Sequence, residues 1–292
     1  MPFARLRPFL PYLLLLPGLA WLAIFFAAPM FTLAQSSLEE GAFETGFRFT
    51  WNWSNYSDAI QEFDTQFLRS FRYAGVATLL ALVMGYPLAY VIAFRGGPLK
   101  NYLLFMVVLP FFTTYLIRTL AWQTIMSDEG QVVSALQTTG VMEVLDALRI
   151  SQDGRLLATP TAVVTAITYN YLPFMVLPIY VSLERIDRRL VEAAQDLYGG
   201  PLRAFRTVVF PLSLPGVFAG SLLTFIPAVG DFVNARLLGN PNTSMIGNVI
   251  QSRFLVVLDY PLAAAISFIL MALILVAVLI YARLLGTEDL AG

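Results

Sequence analysis

Long apolar stretches separated by short charged ones set the pattern of this chain. Read from one ionisable residue to the next, the uncharged runs are Pro8–Leu38, Tyr73–Phe94, Asn101–Ile117, Leu156–Leu183, Thr207–Gly230 and Tyr260–Ala282. The third keeps its apolar character past Arg118, through Trp122 to Met126. Each holds a helix of about 20 residues, the length that crosses a hydrocarbon core. The pattern predicts an all-α integral membrane protein with six transmembrane helices, over 9–33, 71–94, 101–126, 157–183, 207–230 and 260–283. We expect them to form one transmembrane domain over 1–292. Arg5 and Arg7 precede the first run as in a signal peptide. Its apolar region, Phe9 to Leu33, is longer than the roughly 7–15 residues of a signal core, so a retained helix is expected.

Composition identifies the solvent. Of 292 residues, 58% are hydrophobic and 13% charged, whereas soluble domains average roughly 45–50% apolar and about 25% charged. The 18 Lys and Arg against 19 Asp and Glu give a net charge of −1, without the basic excess of a nucleic-acid binder. The chain has no cysteine and no histidine. Disulfides, thiol nucleophiles, imidazole relays and Cys/His metal sites are therefore excluded, and no metal site is expected. The single lysine, Lys100, lies in Gly96-Gly97-Pro98-Leu99-Lys100-Asn101, which is not a GxxxxGK[ST] phosphate loop.

Charge placement orients the six spans. Arg5, Arg7, Arg95, Lys100, Arg185, Arg188, Arg189, Arg203, Arg206 and Arg283 crowd into short segments on one side. Arg48, Arg69, Arg72, Arg149, Arg155, Arg236 and Arg253 are spread over three longer loops on the other. Positive charge marks the cytoplasm, so both termini are expected inside. The outer loops are net acidic, through Glu39, Glu40, Glu44, Asp128 and Glu129 among others. That face either concentrates cations or is an ordinary solvated surface. Between Ser127 and Arg155 the spacing allows short helices, for instance around Val141–Leu148.

The loop 184–206 is long, charged and patterned. Ile186, Leu190, Ala193, Ala194 and Leu197 recur at helical spacing, with Asp187, Arg188, Glu192 and Asp196 on or beside the other face. Gly199-Gly200 breaks this helix, and Pro201 suits the first turn of a second, whose apolar face is Leu202, Phe205 and Val209. Two short amphipathic helices at a glycine turn suit docking of another protein. They equally suit a hairpin lying on lipid headgroups.

Glu192-Ala193-Ala194, the glycine pair and Val208-Val209-Phe210-Pro211 resemble the EAA loop of ABC importer permeases. Tyr198 stands at the expected glycine position, with Gly199 next, and Phe210 replaces a leucine. The resemblance extends to Gly85-Tyr86-Pro87-Leu88-Ala89-Tyr90, Leu109-Pro110-Phe111, Leu116-Ile117-Arg118-Thr119, Ala121-Trp122, Leu172–Pro178 and Ile246-Gly247-Asn248-Val249-Ile250. These segments look like the spermidine/putrescine branch of that family. The resemblance implies a type I ABC importer permease (MetI-like) fold in a bacterial inner membrane. It implies that Glu192, Ala193, Ala194, Leu197, Tyr198, Gly199, Gly200 and Pro211 couple to an ATPase. The implied partners are two ABC ATPase subunits, a second homologous permease subunit and an extracytoplasmic solute-binding protein. No cofactor is expected in this chain, ATP and Mg being bound by the partner ATPase, and the chain is not itself an enzyme.

A tentative solute path collects the polar and aromatic residues at membrane depth. Arg118 is the sole charge inside an apolar span. On a straight helix, 18 residues from Lys100 put it roughly 27 Å across, near the outer interface. There it either snorkels to water or turns inward to pair with an outer-loop carboxylate. Trp122 is an interface anchor or a stacking ring. Tyr169 and Tyr171, with Asn170, precede Pro173 and should face protein or water. Asp231 follows Pro227 and Gly230, where span five ends or breaks. Gly230-Asp231-Phe232-Val233 resembles a family element at the translocation pathway, which brings in Phe232, Asn234 and Arg236. Asp231 suits an ammonium group, and Arg236 suits an anion. An ATP-independent secondary transporter or channel would instead show repeats or several buried charges. A membrane-embedded enzyme would need carboxylates within the spans, and they contain none.

Overall fold

The computed structural model describes residues 10–148 and 150–284. Phe9, at the start of the first expected span, and Arg5, Arg7 and Arg149 of the charge pattern lie outside the described residues, as does the side chain of Tyr198. Helices α1 (Leu10–Leu22) and α2 (Ala28–Ser36) are joined by a π-helical turn, Ala23–Ala27. A hairpin follows, with β1 (Glu39–Ala42) antiparallel to β2 (Gly46–Phe49) and Glu39 opposite Phe49. Next come α3 (Ser54–Tyr90), α4 (Lys100–Val108), α5 (Tyr115–Met126), α6 (Gln131–Thr138) and α7 (Val141–Ala147). The rest comprises α8 (Pro160–Glu184), α9 (Arg188–Tyr198), α10 (Pro201–Ala204), α11 (Phe210–Val229), α12 (Val233–Leu238), α13 (Ile246–Ser252) and α14 (Tyr260–Leu284).

Five of the described helices are long and apolar enough to cross a membrane: Leu14–Ser36, Ser54–Arg95, Pro160–Glu184, Pro201–Val229 and Tyr260–Arg283. The third apolar stretch differs from the single helix expected over 101–126. It is a pair, Gly97–Phe112 and Tyr115–Thr138, bent by 92°. Pro110 sits in a 3₁₀ turn, Leu109–Phe112, and Thr113 and Thr114 are extended. The Thr114 hydroxyl then accepts from the Ile117 N–H at 3.4 Å and opens α5. The second long helix also starts earlier than the run of uncharged residues. Its first turns carry Asp58, Glu62 and Asp64, so a search for charge-free stretches passes over them.

The internal contacts divide the chain into two compact units. In the unit of 1–64 with 250–272, rings of Phe43, Phe47 and Phe254 surround Tyr260, at centroid distances of 6.5, 5.5 and 5.0 Å. Arg253 pairs there with Glu62, stands 3.8 Å from Asp259 and lies over the Phe63 ring. In the unit of 65–249 with 273–292, the centre is α8 against α11 and the second half of α3. Met175, Val176, Ile179 and Leu183 meet Val209, Val217, Ala81, Ala89 and Ile92, all buried. Pro173, Pro178, Pro215 and Pro227 lie inside α8 and α11. Such prolines cost about 3 kcal/mol in a water-exposed helix. They are tolerated in apolar bundles, where neighbouring helices satisfy the freed carbonyls.

Candidate functional site

Two regions of the second unit carry chemistry. The first is the loop between α8 and α11. Asp187 caps α9, its side chain accepting from the Arg189 N–H at 2.9 Å. The helix stops at Gly199, whose φ of +72° is the left-handed conformation that only glycine adopts without steric cost. The N–H groups of Gly199 and Gly200 both donate to the Gln195 carbonyl, at 3.0 and 3.2 Å. Pro201 opens α10, and Pro211, which has no N–H for the carbonyl of Thr207, follows the π-helical turn Phe205–Val209.

The expected apolar stripe on α9 is divided by packing. Ile186 and Ala194 are buried, and Val191 leans on the core. Leu190 and Leu197 are 54% and 76% exposed, Leu202 is 65% exposed, and Glu192 and Ala193 are open as well. One face therefore fixes the loop to its own subunit, while the other presents leucines beside a carboxylate.

The second region is where the broken third stretch meets the end of α11. The structure brings Arg118, Tyr171, Asp231 and Asn234 together there, and adds Tyr115 and Thr119. Asp231 is 5% exposed. Tyr115 Oη donates to its Oδ2, and Asn234 donates twice, from the backbone N–H to Oδ1 and from Nδ2 to Oδ2, both at 2.9 Å. Asn234 Nδ2 also donates to Tyr115 Oη at 2.5 Å. Its Oδ1 accepts from Thr119 Oγ1 at 2.9 Å and Asn170 Nδ2 at 3.4 Å. These hydrogen-bond donors to the carboxyl group are neutral.

Arg118 follows neither expected course. The bend removes the straight-helix count that placed it at the outer interface. It is 8% exposed, so it does not snorkel, and no carboxylate among the described residues forms an ion pair with it. Trp122 stands edge-on to Tyr169 at 5.4 Å, farther along the same two helices. Phe232 is 38% exposed, and its carbonyl accepts from Asn248 Nδ2 at 2.7 Å. Arg236 is exposed, on a different face of α12 from the buried Asn234.

The Ile246–Ile250 element explains itself at this site. A Cβ at Gly247 would stand 2.4 Å from the Gly230 carbonyl oxygen, so only glycine lets α13 approach the peptide before Asp231. Tyr115 and Thr119 were not among the residues expected on the solute path. The available signal was Thr113-Thr114 shortly after Pro110, a turn and an N-cap inside an apolar run.

The described residues thus hold several helices of membrane-crossing length, an amphipathic turn with exposed leucines and a buried polar cluster beside a helix break. The family described as "binding-protein-dependent transport system inner membrane component" matches residues 81–285. The spermidine/putrescine transport system permease protein PotB of Haemophilus influenzae is 34% identical over 266 residues, covering 90% of each chain. PotB of Escherichia coli K12 is 34% identical over 264 residues, 90% of this chain and 93% of that one. The inner membrane ABC transporter permease protein YdcU of E. coli K12 is 31% identical over 293 residues. Among solved structures, a bacterial alginate ABC transporter with its pentasaccharide-bound periplasmic protein aligns with a TM-score of 0.70 at 19% identity, over 97% of this chain and 96% of that one. The chain belongs to the family of binding-protein-dependent transport system inner membrane components. It is an all-α, type I ABC importer permease subunit and a multi-pass inner-membrane protein.

Proposed function

We propose that this permease passes polyamines of the spermidine and putrescine class. The observation that carries the reading is the 34% identity to spermidine/putrescine permeases across nine-tenths of the chain. The buried Asp231, hydrogen-bonded only by neutral groups among the described residues, supports it chemically, since a desolvated carboxylate favours an ammonium group. The chain works with a second homologous permease subunit, two ATPase subunits that bind ATP and Mg, and an extracytoplasmic binding protein that delivers the solute. The α9–α10 turn, from Glu192 to Gly200 and on to Pro211, seats in the ATPase. ATP binding closes the ATPase pair, the two turns follow, and the cavity between the permease subunits opens outward.

The direct test is ATP hydrolysis by the reconstituted complex across polyamines, amino acids and anions. Stimulation by spermidine or putrescine is expected. Stimulation confined to a carboxylate- or phosphonate-bearing solute would replace the polyamine reading, and the exposed Arg236 then becomes the residue to examine.

The positive-inside distribution supports a cytoplasmic location for both termini. Single cysteines in this cysteine-free chain test that placement without background. Cysteines at the exposed positions Glu44, Ser134 and Asn242 are expected to react with a membrane-impermeant maleimide in intact cells, and cysteines at the equally exposed Gly97 and Asp187 are not. Labelling from outside at Asp187 would invert the topology.

A further inference from the structure

Arg118 is the charged group the site leaves unaccounted for. Its Nε and Nη1 are buried and have no hydrogen-bond partner. It also lies in the first turn of α5, the positive end of that helix's dipole. Lost hydration, unmade hydrogen bonds and an unfavourable dipole all fall on one side chain. An apolar residue of the same length would fill the space with none of these costs.

What receives the guanidinium is aromatic. Its Cζ lies 5.1 Å from the Phe111 centroid and 5.7 Å from that of Tyr115, distances at which a ring quadrupole attracts a cation. The rings continue as a series, Phe111 to Phe174 at 5.1 Å, Phe174 to Tyr171 at 6.1 Å and Tyr171 to Tyr115 at 6.3 Å. The series ends on a carboxylate, because the Tyr115 hydroxyl donates to Asp231. Phe111 and Phe174 are each 37% exposed, so the cage has reachable faces although its occupant is enclosed. Aromatic faces backed by a carboxylate are what an organic ammonium ion requires.

We propose that Arg118 is a resident cation, holding the path shut by occupying an aromatic site suited to an ammonium group of the solute, which must displace it to pass. The choice of solute class rests on the polyamine reading above. The guanidinium and an incoming ammonium compete for the same ring faces, and two positive charges do not share the cage. Losing Arg118 therefore weakens the closed state instead of merely weakening binding.

The test uses the complete transporter in proteoliposomes, with an Arg118→Cys variant of this cysteine-free chain. Unstimulated ATP hydrolysis is expected to rise about tenfold, the scale of losing a cation's contact with two rings. Aminoethyl methanethiosulfonate puts an ammonium back at that position and should restore the low rate. Methyl methanethiosulfonate forms the same disulfide without charge and should not. An unchanged unstimulated rate in the assembled variant, or equal effects of the two reagents, overturns the proposal. Where Arg118→Cys does not assemble, Phe111→Leu removes one face of the cage without touching the charge. The same rise is then expected, and a flat rate is again fatal. This comparison needs no solute, so a wild-type transporter that spermidine fails to stimulate would remove the polyamine reading alone.

Discussion

Asp231→Asn is expected to lower polyamine-stimulated ATP hydrolysis by well over tenfold while unstimulated hydrolysis persists. The carboxylate is buried and its hydrogen-bond donors, Tyr115 and Asn234, are neutral. A cation brought to it is desolvated, and removing one partner of such a pair costs about 3–5 kcal/mol. Each ~1.4 kcal/mol is a factor of ten in rate, so even part of that cost is readily measured. Asparagine keeps an oxygen for the Asn234 backbone N–H, which preserves the cap on α12. It also turns an amide toward Asn234 Nδ2, so a loss of about 1–3 kcal/mol in stability is expected alongside. Thermal unfolding of the purified subunit measures that part, and the unstimulated rate reports an intact assembly. Arg236→Ala, by contrast, should be neutral, because that side chain is exposed on another face of α12. The reverse pair of results, with Arg236→Ala inactive and Asp231→Asn near normal, would mean an anionic solute.

The helices were legible because lipid imposes the simplest of patterns, an apolar run of fixed length. That rule failed where the chain departs from a straight rod in a uniform solvent. The Ser54 end of α3 carries acidic residues and so lay outside the uncharged runs. The break at Thr113 and Thr114 was hidden because both residues are compatible with a membrane helix, and only the neighbouring Pro110 hinted at a turn. The turn in the loop 184–206 was legible, since Gly199 and Pro201 are local signals whose conformation is set by the residue itself. The polar cluster was legible only in part, through Arg118, Tyr171, Asp231 and Asn234. Asp231 and Arg118 stood out as charges, but their neighbours Tyr115, Thr119 and Asn234 meet across more than a hundred residues of chain. No local period encodes such a meeting.

The α9–α10 turn is expected to be the most sensitive point outside the membrane, and glycine geometry provides the sharpest probe. Gly199 holds φ at +72°, and nothing lies within 4 Å of where its Cβ would be. Bulk alone is thus accommodated, and any effect of substitution comes from the backbone. A β-branched residue in the left-handed region costs about 1–2 kcal/mol, whereas asparagine visits it routinely. Gly199→Val should therefore shift the turn and lower ATPase co-purification and transport by about tenfold. Gly199→Asn should stay near the wild type. Glu192→Lys probes the same surface by charge, since Glu192 is exposed beside Leu190 and Leu197. Like charge placed against a partner built for the opposite sign costs several kcal/mol, so an effect larger than that of Gly199→Val is expected. In all three variants the apolar bundle should remain folded, because the buried or half-buried residues of this segment, Ile186 before α9 and Val191 and Ala194 on it, are untouched. If Glu192→Lys binds the ATPase and supports uptake at the wild-type level, the exposed leucines face lipid headgroups instead and the turn is not the coupling element.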